Sequence, residues 1–143
     1  VLSDPDRIRN IGARTIDWMQ TLLNTPHPLA AYVPALIAGW KAGYDVICLH
    51  APHLLIPHIP ARNPVAQIDA IIALSHVDIL APAMELGTFW AGFAAAAAAN
   101  YEPLQKELDL PDGRQPAFAM MLGRPLFHPA GIPRRNPLAV TWR

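Results

Sequence analysis

Charge of either sign is scarce in this chain: eleven basic and eleven acidic residues among 143 leave a formal net charge of zero. Without a basic excess there is no electrostatic footprint for nucleic acid or for an anionic membrane surface. Cysteine occurs once, at Cys48, which excludes an internal disulfide framework and fits a reducing compartment, so the cytoplasm is the expected location. No apolar run reaches the roughly 18 uninterrupted residues of a membrane span, because residues 65–99 are broken by Asp69, His76, Asp78 and Glu85. No signal-peptide pattern opens the chain. The loops G-x-G-x-x-G and G-x-x-x-x-G-K-S/T are absent, and so is G-x-S-x-G, which disfavours the nucleotide folds served by such loops and a serine hydrolase.

What is abundant is apolar surface: 52% of the residues are hydrophobic. In a chain the length of one domain, so small a charged share implies that apolar surface is hidden by packing or by a partner subunit. Ser3-Asp4-Pro5-Asp6 reads as a helix entry, with capping oxygens, an early proline and acids at the positive helix end. Ile8, Ile11, Ile16, Met19 and Leu23, flanked by Thr15 and Trp18, give a one-faced stripe to about residue 24. Pro26-His27-Pro28 breaks the chain before a second helix over residues 29–43, with Val33, Leu36, Ile37 and Trp40 on one side and Pro34 in its first turn or at a kink. The β-branched residues of 46–49 and 53–59 favour strand for at least one run, preferably 53–59, at an edge or a strand end because of Pro57.

Residues 65–86 are apolar on every face, the pattern of a helix in the middle of a fold or dimer, with Pro82 bending its last turn. The alanines of 94–99 continue a helix without needing a functional cause. A short helix over residues 101–108 and a buried strand over 117–122, stopped by Gly123, complete the ordered part. Residues 125–143 hold four of the sixteen prolines and read as an extended, wrapping tail. Helices and strands mix without regular alternation, so the fold class is α+β.

Few residues invite chemistry. His50, His53 and His58 lack a nearby Cys, Asp or Glu to complete a metal set, and in a strand His53 and His58 face opposite ways; no metal site is assigned. Asp69, Asp78 and Glu85 fall on different levels of their helix, which makes them structural hydrogen-bonding groups or solvent-facing ends rather than an acid–base pair, and no catalytic side chain is assigned. Two features remain. In Glu85-Leu86-Gly87-Thr88-Phe89-Trp90-Ala91-Gly92-Phe93, Gly87 fits a left-handed helix end and Gly92 a close backbone approach, while Phe89 and Trp90 offer aromatic surface beside free N–H groups. Arg134-Arg135, after Ile132-Pro133, forms a stiffened pair of guanidinium forks suited to a phosphate or to solvated charge.

Together with Asp69-Ala70-Ile71-Ile72-Ala73-Leu74, Leu80-Ala81-Pro82-Ala83-Met84, Met120-Met121-Leu122-Gly123-Arg124-Pro125, Asn136-Pro137 and Trp142, these segments resemble the nitroreductase family of FMN-dependent oxidoreductases, from about residue 3 to the end. The nearest branch is the one in which ferredoxin-like modules can precede the flavin domain. The resemblance implies a mixed, mainly antiparallel sheet flanked by helices, FMN as cofactor, and an obligate homodimer with residues 65–86 in its interface. It implies a nicotinamide or ferredoxin-type electron donor and a nitro, quinone or enone acceptor. It places the flavin ring along Phe89, Trp90, Ala91 and Gly92, with backbone amides near Ala91 and Gly92 on its N5 and O4 edge, and the FMN phosphate at Arg135 with Arg134 beside it. The family's N-terminal Arg-Ser-x-Arg segment has no counterpart. Arg7, Arg9 and Arg14 lie on a helix matching a later part of the domain, and the chain opens at Val1 without an initiator methionine. Residues 1–143 are therefore expected to be the C-terminal part of one flavin domain, N-terminally incomplete and with impaired cofactor binding. The alternative is a non-catalytic dimerising module that has lost the flavin; a hydrolase comes third.

Overall fold

The computed structural model describes residues 1–63, 65–126, 131 and 134–143. The first helix, α1 (Pro5–Thr21), starts where the capping signal puts it: the Asp4 carboxylate accepts from the amides of Asp6 and Arg7 at 2.9 and 3.1 Å. It buries Ile8, Ile11, Thr15, Ile16, Trp18 and Met19. The helix ends at Thr21, so Leu22 rather than Leu23 turns inward, and Leu23 is exposed. The chain then makes a 3-10 turn at Pro28–Ala31 before α2 (Val33–Lys41), and Pro34 sits in the first turn of α2, where its missing N–H costs nothing.

The apolar run at 53–59 is two strands. β1 (His53–Leu55) and β2 (His58–Pro60) are separated at Ile56-Pro57 and belong to different sheets. Residues 46–49 form no strand. They are a loop drawn together by Asp45, whose carboxylate accepts from the amides of Ile47, Cys48 and His50 at 3.1, 2.8 and 3.0 Å. Then come α3 (Ala66–Leu80), continued by a 3-10 turn at Ala81–Met84 beside Pro82, β3 (Gly87–Trp90), α4 (Gly92–Asn100) and α5 (Glu102–Leu108). The chain closes with β4 (Arg114–Pro116) and β5 (Met120–Gly123).

The principal sheet has the order β1-β5-β3, all antiparallel, and β2 pairs with β4 in a second, two-stranded sheet. Gly123 is within β5, opposite Gly87, rather than a stop after it. The register puts Leu54, Met121 and Phe89 on one face of the principal sheet. The core lies on that face, where Leu54 and Met121 join the inward residues of α1, Ala94, Ala97 and Ala98 of α4, and Leu104 and Leu108 of α5. The small side chains of α4 let it pack closely against α1. Helix α3 packs against β2 and β3.

Candidate functional site

The turn after α3 differs from its sequence expectation. The left-handed residue is Glu85, at φ 57°, held by its amide donating to Pro82 O at 3.1 Å. Gly87 instead opens β3, which among the described residues is an edge strand bonded only to β5. Period-two alternation then sorts the aromatic residues. Phe89 faces the α1–α4 side at the sheet's rim and is 62% exposed, while Thr88 and Trp90 face α3 and are half-buried. Behind the strand, Asp78 of α3 accepts hydrogen bonds from Thr88 Oγ1 and, at 3.0 Å, from Trp90 Nε1. The Trp90 ring meets Phe118 edge-on, with centroids 5.2 Å apart.

Ala91 is buried, and its N–H donates to Ala119 O at 2.9 Å. Of the two amides expected to meet a ligand, Ala91's is thus already engaged. Gly92 is the first residue of α4, and its N–H and that of Phe93 have no partner among the described residues. A Cβ at Gly92 would find nothing within 4 Å. The result is the exposed Phe89 ring followed by two helix-start amides without partners among the described residues, which can take a flat acceptor-bearing group. Arg134 and Arg135 are both exposed, in a segment without helix or strand. Ile132 and Pro133, which precede them in the motif, lie outside the described residues.

Two features escaped the sequence reading. A cavity of about 450 Å³ between the start of α1 and the end of α2 is lined by Asp6, Arg9, Trp40, Tyr44, Asp45 and His50 among others, and none of the residues expected to bind a ligand touches it. Its walls come from three separated segments, so no local motif signals it. The second is Gly123, where an added Cβ would stand 2.9 Å from Pro52 Cδ. His53 Nδ1 lies 2.9 Å from Ser3 Oγ, a contact linking β1 to the chain start. Among the described residues no cluster of three or more His, Cys, Asp or Glu could hold a metal ion.

With that geometry in place, comparison with solved structures finds a nitroreductase with bound FMN from Desulfitobacterium hafniense, superposing with a TM-score of 0.69 over 98% of this chain and 72% of that one at 15% identity. A nitroreductase with bound FMN from Bacteroides fragilis gives 0.70 over 98% and 73% at 12% identity. The fold is nitroreductase-like. Iodotyrosine deiodinase, bound to FMN and 3-iodo-L-tyrosine, shares this nitroreductase-like architecture with a TM-score of 0.63 over 99% of this chain and 73% of its own, at 14% identity. No family model matches the sequence, and no curated protein matches it. The fold class expected from the sequence, α+β with antiparallel sheets and flanking helices, is the observed one.

Proposed function

We propose that the chain works as an FMN-dependent oxidoreductase of the nitroreductase kind, passing electrons from a nicotinamide or ferredoxin-type donor to a nitro, quinone or enone acceptor. The observation that carries this reading is the superposition of nearly the whole chain on nitroreductases with bound FMN. The local geometry fits the group: Gly92 leaves open space and unpartnered amides at the start of α4, next to the exposed Phe89 ring.

In this reading the chain positions rather than reacts. Gly92 and Phe93 donate their N–H groups to an acceptor-bearing ring edge, and the positive end of α4 favours electron density gathering there. Phe89 lines one side of the ring and keeps water from it, while Trp90, turned to the α3 side, holds the strand in place. Ala91 serves through its backbone, by tying the turn to Ala119. Arg134 and Arg135 supply cationic forks for the phosphate. FMN bound there supplies the hydride and single-electron chemistry, so no side chain is needed as acid or base.

The chain acts as a homodimer in this proposal, through α3. Ala66, Ala70 and Leu74 bury one face, while Ile68, Ile72, Ile79, Leu80 and Met84 are exposed. The segment Ala66–Met84 is long and apolar enough to cross a membrane, but α3 packs against β2 and β3, and its outer face fits a second copy better. A cytoplasmic location goes with the single, unpaired Cys48.

Mixing the purified chain with FMN tests the reading. Weak uptake of flavin absorbance, impaired by the lack of an Arg-Ser-x-Arg segment and lost on Arg135→Glu, together with nitro-acceptor reduction, is the expected result. A colourless dimer that takes up no flavin indicates the non-catalytic module, the second reading, which the exposed α3 face equally favours.

A further inference from the structure

We propose that Asp78 is a positioning residue: gripping Thr88 and Trp90 from the α3 side, it fixes where Phe89 and the Gly92 amide stand in the candidate site. The inference rests on the cofactor reading for what the site holds, but the grip itself does not.

Asp78 is an ionisable side chain on a helix that is otherwise largely apolar, and among the described residues it makes no ion pair. Both of its oxygens are occupied by neutral donors from a single strand, Thr88 Oγ1 on Oδ1 and Trp90 Nε1 on Oδ2. That strand needs an anchor. β3 is four residues long and, among the described residues, paired on one side only, so the ladder to β5 leaves it free to pivot about that edge. Two hydrogen bonds from alternate residues stop the pivot, because Thr88 and Trp90 bracket Phe89 and turn it to the opposite face. The indole is further caught edge-on by Phe118, leaving it one orientation. Trp90 leads through Ala91, itself tied to Ala119, to the first amides of α4. Asp78 therefore sets the lateral position of both parts of the patch without touching a bound group, and acts through its two hydrogen bonds rather than through charge.

An asparagine can accept from the indole with its oxygen and donate to the threonine hydroxyl with its nitrogen, so Asp78→Asn should preserve the grip and Asp78→Leu should break it. In ¹⁵N-labelled protein, with the indole resonance assigned by Trp90→Phe, Asp78→Leu should shift the Trp90 Nε1–H peak and speed hydrogen exchange at the amides of residues 91–93. FMN titration followed by flavin fluorescence should show binding weakened about tenfold or more in Asp78→Leu, and close to wild type in Asp78→Asn. Thr88→Val, which removes one donor and keeps the side chain's shape, should move both readouts in the same direction and serves where Asp78→Leu does not fold. An unmoved indole peak in the variant lacking the grip overturns the proposal, as does wild-type FMN affinity there or equal loss in Asp78→Asn. A wild-type chain that binds no FMN overturns the cofactor reading instead, and the indole and exchange data then decide the grip by themselves.

Discussion

Among the described residues outside the helices, the Asp45 carboxylate gathers the most backbone amides. Three amides converge on its carboxylate, and they hold Leu49 and His50 in successive left-handed conformations at φ 53° and 55°. The same loop seals Cys48, whose thiol is fully buried and lies 3.8 Å from Ile8 O. Burial first, and the nearby Asp45 charge second, push this thiol from an ordinary 9.0 up to about 12. Between those values the unfolded chain gives up the thiol proton while the folded chain keeps it, so stability is intact below about pH 9 and declines as pH rises toward 12. Denaturant midpoints measured from pH 8 upward should fall over that window, and Cys48→Ala should remove this part of the decline. The sequence marked Cys48 only as unpaired. Its burial depends on Ile8, some forty positions away, and on a loop whose β-branched residues left strand open as one of two candidate runs but whose amides Asp45 takes first.

Among the elements, the helices were the most legible. Capping at Asp4, the proline in the first turn of α2 and the alanine run of α4 are local signals, and local hydrogen bonding settles them. Strands were legible as existence, less as extent, because pairing partners decide where a strand stops. Ile56-Pro57 divides one apolar run between two sheets, and β5 continues through Gly123 because Gly87 of β3 pairs with it, one residue beyond the His53–Leu122 pair. Gly123 has its own reason to lack a side chain: the Pro52 ring occupies the place a Cβ would take, at 2.9 Å. Gly123→Ala should therefore cost about 1–3 kcal/mol in chemical denaturation, because a rigid ring in the turn before β1 cannot swing aside. Gly92, by contrast, faces open space. The two glycines flanking Phe89 look alike in sequence but differ in structure: the left-handed turn falls on Glu85, and Gly87 is a strand residue.

For the molecule as a whole, the open question of area is α3. A helix apolar all round reads as central, and it buries Ala66, Ala70 and Leu74 while Ile79 remains 76% exposed. A second copy covering that face is the proposed resolution, so Ile79→Glu should convert a dimer to monomer in sedimentation velocity while circular dichroism stays unchanged. A chain that sediments as a monomer before substitution would remove the dimer from the proposal. Of the candidate site, the segment 87–92 and the arginine pair are proposals that local residue pattern alone suggests. Sequence reading missed that Ala91's amide is already bonded and that Asp78 lies behind the strand, since both facts require β5 and α3 to be folded against β3. Local signals in the sequence sufficed for the α+β class, the start of α1 and the neutral, apolar character, because caps, prolines and periodicity act within a few residues, whereas α2, expected from residue 29, starts only at Val33 after a 3-10 turn. Tertiary structure alone decided which amides stay free, which carboxylate is engaged and which apolar face is left uncovered. Those outcomes depend on contacts between residues far apart in the chain, where burial and hydrogen-bond satisfaction outweigh local preference.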